Sequence, residues 1–162
     1  MGRAPSEEPE GIVSRPELLP VDEEAERLRV FETLRFDTIV LHGQAAKRTG
    51  RHYGLEYDYE SRTPRPGELA EILVQHYPPG ATIGWHRDAP AFDTVVGISF
   101  GGSSRMRFQR RKRDERRVWE IPLEPRSGYA LSDEARRSWE HPIPATEERR
   151  YSITFRTLRN RR

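Results

Sequence analysis

Glycine and proline interrupt this chain at short intervals, 12 of one and 13 of the other in 162 residues. That punctuation bounds the fold before any single residue is weighed. Proline cannot donate to a ladder and glycine opens left-handed turns, so the runs between the breaks read as short strands joined by turns. The clearest run is Arg150-Tyr151-Ser152-Ile153-Thr154-Phe155-Arg156, which alternates with period two. One face carries Arg150, Ser152, Thr154 and Arg156; the other carries Tyr151, Ile153 and Phe155, which should pack in the core. Thr94 to Phe100 also alternates and is β-branched, the pattern of a buried strand. Gly101-Gly102-Ser103 should then turn it into Met106 to Arg110 as a hairpin. Val118 to Leu123 and Gly128 to Leu131 read as further strands, with Pro125 to Gly128 the turn between them. Ile39 to Leu41 is a short strand, and Ile72 to Tyr77 a strand preceded by a helix turn or loop from Glu68.

A helix is expected over Asp22 to Leu34, where Ala25, Leu28, Phe31 and Leu34 recur at helical spacing behind early acids. Residues 1 to 16 are polar, with Pro5, Pro9 and Pro16 and no periodicity, so a loose N-terminal arm is expected there. Residues 17 to 162 form one domain. The fold expected is mainly β with flanking helices, a jelly roll.

The chemistry sits in Tyr77-Pro78-Pro79-Gly80-Ala81-Thr82-Ile83-Gly84-Trp85-His86-Arg87-Asp88. On extended chain, residues i and i+2 point the same way, so His86 and Asp88 reach one metal while Arg87 faces elsewhere. A third candidate ligand, His141, follows 53 residues after Asp88. Two imidazoles and a carboxylate occupy one face of an octahedral ferrous ion and leave the other open to a cosubstrate and dioxygen. A His-x-Asp tripeptide alone equally describes a turn aspartate beside a satisfied histidine. The weight comes from Arg150 and Arg156, about 20 Å apart along one strand face. Their side chains can lean together and grip a small dicarboxylate by bidentate pairing. The alternative for that face is a surface strand with solvated arginines.

Composition narrows the rest. There is no cysteine, which excludes a disulfide framework, a thiolate zinc site and a cysteine nucleophile and is compatible with a reducing cytoplasm. A mean hydropathy of -0.89 with 33% charged residues implies a small core under a heavily solvated surface. No apolar run reaches bilayer length and Met1 to Glu10 lacks a secretory signal, so a soluble, cytoplasmic protein is expected. Only Lys47 and Lys112 of 28 basic residues are lysine, a bias that suggests a GC-rich bacterial genome. Charge is polarised. Glu7, Glu8, Glu10, Asp22, Glu23, Glu24 and Glu26 make the first third acidic, whereas Arg105 to Arg117 holds eight basic residues interleaved with Met106 and Phe108. Such a stretch can contact nucleic-acid phosphates or be a solvated hairpin tip.

The order Tyr77, His86-x-Asp88, His141, Arg150 and Arg156 resembles the AlkB family of ferrous iron and 2-oxoglutarate dependent dioxygenases. Leu131-Ser132, Ala135-Arg136 and Trp139-Glu140-His141 match as well, and the likeness runs from about residue 17 to residue 157. The resemblance implies a double-stranded β-helix. It also implies iron held by His86, Asp88 and His141, and 2-oxoglutarate whose distal carboxylate is held by Tyr77 and Arg150 with Arg156 near the chelating one; Gln75 and Ser152 stand at further cosubstrate positions. It implies oxidative demethylation of methylated bases in DNA or RNA, as in DNA repair or RNA modification, with consumption of dioxygen; a monomer is expected, though nothing in the sequence sets the oligomeric state. The segment Arg48 to Tyr59 lies where the family has its substrate lid, so Arg48, Arg51, Tyr53, Tyr57 and the neighbouring Trp85 are candidates for holding substrate. Leu55 stands where relatives acting on bases often carry an aromatic ring, and those tyrosines can equally pack on the sheet. His42, His52 and His76 need no ligand role. Rival readings are the same chemistry on a protein or small molecule, and a non-catalytic β-sandwich that binds nucleic acid.

Overall fold

The computed structural model describes residues 7–41, 43–54, 69–113 and 115–159. Its strands are β1 (Ile12–Arg15), β2 (Asp37–Leu41), β3 (Gln44–Gly54), β4 (Leu69–Tyr77), β5 (Ile83–His86), β6 (Phe92–Gly101), β7 (Ser104–Lys112), β8 (Glu115–Leu123), β9 (Gly128–Leu131), β10 (His141–Ile143) and β11 (Arg150–Leu158). The helices are α1 (Val21–Thr33) and α2 (Asp133–Arg137). Seven strands form one antiparallel sheet in the order β1-β9-β6-β11-β4-β3-β2. The second layer consists of the pairs β7-β8 and β10-β5. These are joined where Gln109 and Glu140 exchange backbone hydrogen bonds of 2.9 Å in both directions. Two facing antiparallel sheets make a double-stranded β-helix.

Side-chain parity divides the large sheet into two chemically different faces. Residues directly opposite in antiparallel strands share a face, so Tyr151, opposite His76 and Phe100, points the same way as both. This outer face is covered by α1, whose buried Phe31 meets Phe100 edge-on at 5.1 Å and Tyr151 at 5.3 Å. Asp22, Glu23 and Glu24 in the first turn of α1 suit its dipole. Glu24 also accepts a 2.9 Å hydrogen bond from the Gly101 amide, which ties the helix to β6. Between the layers, Met106, Phe108, Leu123 and Leu131 are sealed from solvent. Each such large apolar side chain contributes about 1.5–3 kcal/mol of burial.

Several sequence expectations are corrected by pairing that only the folded chain reveals. The strand β11 is central, and its polar face is the more buried one: Arg150, Ser152 and Thr154 are buried while Ile153 and Phe155 are half-buried. Its alternation therefore separates a polar chamber from a helix-covered flank rather than core from solvent. The expected hairpin at Gly101-Gly102-Ser103 does not form, because β6 pairs with β11 and β9 while β7 pairs with β8. That turn carries the chain from one sheet to the other, as Pro125 to Gly128 does between β8 and β9. β4 begins at Leu69, so Leu69 to Glu71, expected as helix turn or loop, are already strand; Glu68 lies outside the described residues. Within the segment expected to be a loose arm, Ile12–Arg15 is an edge strand, with Ile12 opposite Leu131.

Candidate metal centre

β5 ends in His86, and β10, its antiparallel partner, begins with His141 in register opposite it. The two imidazoles consequently lie with centroids 4.5 Å apart. Asp88, just past the end of β5, comes within 3.9 Å of His86 Nε2 through Oδ1 and within 3.7 Å of His141 Nε2 through Oδ2. One donor atom from each of the three lies within 4.8 Å of the others. His86 Nδ1 sits 2.8 Å from the Gly84 carbonyl. A proton on Nδ1 donates to that oxygen and leaves the Nε2 lone pair facing the cluster, the arrangement a metal-binding histidine needs.

Electrostatics favour the ligand protonation states. Burial pushes His141 down to about 4 against the opposing pull of Asp88, so its imidazole is neutral and able to bind metal at neutral pH. Burial would raise the Asp88 carboxyl, but His141, Arg156, His86 and Arg136 outweigh it and hold Asp88 below the usual carboxylate range. At neutral pH, where His141 is uncharged, the cation that remains beside Asp88 is the Arg156 guanidinium, 3.7 Å from Oδ1. Two nitrogens and an ionised carboxylate oxygen are a donor set that fits ferrous iron.

Deeper in the chamber, Arg150 stands opposite Tyr77 on β4 and Gly101 on β6. It is 1% exposed. Its Nη2 donates to Ser99 Oγ at 2.8 Å and its guanidinium lies 5.0 Å over the Tyr77 ring. Nε and Nη1 are buried without a partner. Orphaned donors on a sealed cation are costly unless an anion completes them, so this end of the chamber fits a carboxylate. Tyr77 donates to Gln75 at 2.8 Å, and Ser152 lies opposite Gln75 and Ser99. At the other end of the strand, Arg156 pairs with Glu71 at 2.6 Å and approaches Asp88. The fold thus places Gln75, Tyr77, Arg150, Ser152 and Arg156 on the inner face toward the three candidate ligands.

The candidate substrate residues separate. Thr49 pairs with His76, Arg51 with Val74 and Tyr53 with Ile72, so Arg51 and Tyr53 share the α1 side of β3. Arg51 donates to the Arg35 carbonyl at 3.1 Å and stacks 5.3 Å over Tyr53, away from the metal cluster. Arg48, of opposite parity, faces inward and is buried. Trp85 is 43% exposed beside His86. Tyr57, Leu55, Tyr59 and His42 lie outside the described residues. His76 stacks on Tyr151 at 4.8 Å on the outer face, and His52 Nδ1 lies 3.4 Å from Glu71.

Two inner residues escaped the sequence reading. Tyr129 on β9 stands opposite Gly97, and its ring lies so close over Gly97 that any Cβ there would sit inside it. Burial holds the Tyr129 hydroxyl far above its ordinary value, with Asp88 and Tyr77 adding to the effect; it is a neutral donor beside the chamber. Ser99, the partner of Arg150, is fully buried. Sequence offered only the lone glycine in a β-branched run as a sign of close approach. A cavity of about 710 Å³ adjoins Asp88 and is lined in part by Arg87, Arg136, Arg137, Glu140 and Arg159. Arg136 is 3% exposed and donates to the Ala89 and Phe92 carbonyls, fixing the loop behind Asp88.

A double-stranded β-helix with two histidines and an aspartate at one mouth and a sealed arginine below defines the class of ferrous, 2-oxoglutarate-using oxygenases. The chain belongs to the 2OG-Fe(II) oxygenase superfamily, whose family model matches residues 23–156. The family implies Fe(II), 2-oxoglutarate and O2 as metal and cosubstrates. A curated relative, "Uncharacterized protein L905" of Acanthamoeba polyphaga mimivirus, is 33% identical over 102 residues, 54% of this chain and 48% of that protein. The chain thus spans about half the length of the curated relative it matches. Among solved structures, OsALKBH1 superposes with a TM-score of 0.69 at 13% identity, covering 97% of this chain and all of that one. A prolyl hydroxylase from Trichoplax adhaerens, solved with a hypoxia inducible factor peptide fragment, gives 0.65 at 14% identity over 91% of this chain and 83% of that one. A 2OG-Fe(II) oxygenase family oxidoreductase from Burkholderia pseudomallei gives 0.63 at 14% over 93% and 86%. The fold is AlkB-like. No described helix is long and apolar enough to cross a membrane.

Proposed function

We propose that this oxygenase demethylates alkylated bases in nucleic acid, DNA or RNA, releasing formaldehyde, succinate and carbon dioxide. His86, Asp88 and His141 hold the iron. Arg150, with Tyr77, Gln75 and Ser152, anchors one carboxylate of 2-oxoglutarate, and Arg156 lies toward the metal-chelating end. When bound, the metal and cosubstrate supply an oxidant formed from dioxygen that takes hydrogen from a substrate C–H bond. The chain's contribution is placement: it would hold a substrate methyl group beside the His86, Asp88 and His141 cluster, within a chamber whose buried Leu131, Val95 and Tyr129 exclude water. No side-chain nucleophile takes part.

The observation that carries the nucleic-acid reading is the cavity at Asp88, which brings Arg87 and Arg159 to the edge of the metal cluster, while Arg136 is taken up by the Ala89 and Phe92 carbonyls and Arg137 by Asp133. Guanidinium groups so placed suit a polyanion whose base enters the chamber. The likeness of fold to OsALKBH1 supports the same reading. The basic hairpin contributes less than its composition suggests. Arg105 and Arg107 are tied to Glu120, Arg110 to Glu134 and Arg117 to Glu115. This leaves Arg111, Lys112 and Arg113 at the tip without an ion pair among the described residues.

A protein or small-molecule substrate is the second reading, favoured by the turning of Arg51 and Tyr53 away from the metal and by the likeness to a prolyl hydroxylase. Formaldehyde release from oligonucleotides bearing 1-methyladenine or 3-methylcytosine, set against methylated peptides, decides between them. Release from peptides alone refutes the base substrate, and succinate formation lost in both His86→Ala and Asp88→Ala excludes a passive binding module.

A further inference from the structure

The inner face of the large sheet is laid out in rows across its strands, and one row holds a polar group that the iron and cosubstrate assignments leave unused. Ser99, Ser152 and Gln75 form one row. Tyr129, Gly97, Thr154, Leu73 and His52 form the next. Arg156 and Glu71 belong to the one after. The first row anchors the sealed guanidinium of Arg150, whose Nη2 donates to Ser99 at 2.8 Å. The last reaches the metal cluster, since Arg156 comes within 3.7 Å of Asp88. Successive rows on one face lie about 7 Å apart along a strand. A five-carbon dicarboxylate whose far end completes Arg150 therefore brings its other end to the middle row on the way to Asp88.

That middle row contains a fitted pair. Gly97 has no Cβ, and the point where one would stand lies within the far end of the Tyr129 ring, hydroxyl included. The side chain thus leans from β9 across β6, and its hydroxyl ends at the level of Thr154. The other members of the row are committed. Thr154 donates to the Leu73 carbonyl at 3.4 Å, the Leu73 side chain is apolar and buried, and His52 Nδ1 lies 3.4 Å from Glu71. Tyr129 is 8% exposed, and its hydroxyl has no hydrogen-bond partner among the described residues. It lies within charge reach of Asp88, Tyr77, Arg150 and Arg156, and so between the two ends of the chamber. A neutral O–H donor held there gains most from an anionic acceptor, because a hydrogen bond to a charged group is about twice as strong as one between neutral groups.

We propose that Tyr129 contacts the cosubstrate: its ring is a wall along the carbon chain of 2-oxoglutarate, its hydroxyl donates to the carboxylate at the metal end, and with Gly97 it gauges the length of the 2-oxo acid. This rests on the assignment of Arg150 to the opposite carboxylate. A 2-oxo acid one carbon longer, held at Arg150, would drive its metal end past the hydroxyl and against the ring. The pairing also accounts for the glycine within the otherwise β-rich run Thr94 to Phe100, where a close approach is the usual reason for one.

The test is isothermal titration calorimetry on the full chain loaded with Mn(II), which reads binding without turnover. The probes are 2-oxoglutarate and the one-carbon-longer 2-oxoadipate. Tyr129→Phe keeps the ring over Gly97 and removes only the oxygen. Its affinity for 2-oxoglutarate should fall about tenfold or more, while urea denaturation of the ligand-free variant matches the parent. The parent should prefer 2-oxoglutarate to 2-oxoadipate by about tenfold or more, and Tyr129→Leu, which shortens the wall, should lose most of that preference. Unchanged affinity in Tyr129→Phe overturns the inference. So does a clear loss of its ligand-free stability, which would show that the hydroxyl is already satisfied within the protein. A preference kept in full by Tyr129→Leu overturns the gauge. Arg150→Met separates this inference from the assignment beneath it: if that variant binds 2-oxoglutarate as the parent does, both fall, whereas weak binding by Arg150→Met beside full binding by Tyr129→Phe sinks only the role of Tyr129.

Discussion

Replacing Arg150 by methionine should separate stability from cosubstrate binding in an unusual direction. Without 2-oxoglutarate, Arg150 sits at 1% exposure with Nε and Nη1 unpaired. Each unsatisfied buried donor costs about 1–3 kcal/mol, while the Ser99 hydrogen bond returns about 1 kcal/mol and the stack on Tyr77 about 0.5–2 kcal/mol. A methionine of similar length fills the space, so the variant without cosubstrate should keep its stability to within about 1 kcal/mol or gain slightly. Binding behaves oppositely. At a concentration a hundred times Kd, 2-oxoglutarate stabilises the parent protein by about 2.7 kcal/mol, roughly 5–10 °C in Tm for a chain of this size. Loss of a buried charge-assisted pair costs about 2–5 kcal/mol of binding, so the same concentration should yield about a third of that shift or less in Arg150→Met. Differential scanning fluorimetry on Mn(II)-loaded protein with and without 2-oxoglutarate reads both quantities. A variant that unfolds far below the parent without cosubstrate would show that the guanidinium is already satisfied, and a variant that keeps the full shift would show that the carboxylate docks elsewhere. Either result refutes the reasoning.

His141 should make the metal-free protein sensitive to acid. Its folded pKa of about 4 lies below the ordinary value of 6.5, so the unfolded chain binds the proton first, and stability complete above about pH 6.5 declines as pH falls toward 4. The decline amounts to about 3 kcal/mol; urea titrations between pH 4 and 7 should show it, and His141→Gln should flatten the curve. His86→Ala and Asp88→Ala should abolish iron retention, measured by metal analysis after desalting, together with 2-oxoglutarate decarboxylation. Gly97→Ala drives a methyl group into the Tyr129 ring and should cost about 1–3 kcal/mol; chemical denaturation should find that cost largely removed when Tyr129→Leu is added. Alanine at Arg111, Lys112 and Arg113 should lower the slope of log affinity for nucleic acid against log salt by up to about 0.9 for each phosphate no longer neutralised. An unchanged slope in filter binding would take the hairpin tip out of the interface.

The features legible in the sequence are those set by local spacing. The His86-x-Asp88 pair, the helix under Phe31 and the period-two run from Arg150 to Phe155 each depend on neighbours in the chain, and each is where the spacing put it. The convergence of His141 with His86 is different in kind. Register across β5 and β10 produces it, and only the match of the whole residue order to a family made it foreseeable. What stayed hidden depends on pairing between distant strands. A glycine turn after β6 looks the same whether it closes a hairpin or passes the chain to a facing sheet, so Gly101-Gly102-Ser103 was open to either reading until β11 occupied the edge of β6.

Parity has the same limit. Period two shows that Arg150 and Tyr151 point oppositely, but it cannot say which side is interior when both are covered. In β11 the helix-covered flank takes Tyr151, and the chamber takes Arg150, which is the more deeply buried of the two. Arg48 follows the same logic on β3: one residue of register separates a lone inward cation from the outward pair Arg51 and Tyr53, and a slip of that register would exchange them. The polar residues of this chamber are therefore where hydrophobic patterning alone expects solvent. Burial without full compensation is what a chamber that takes anionic ligands requires, and the strongest conflict between local pattern and observed burial, at Arg150, lies on the same inner face as the Arg156 that reaches Asp88.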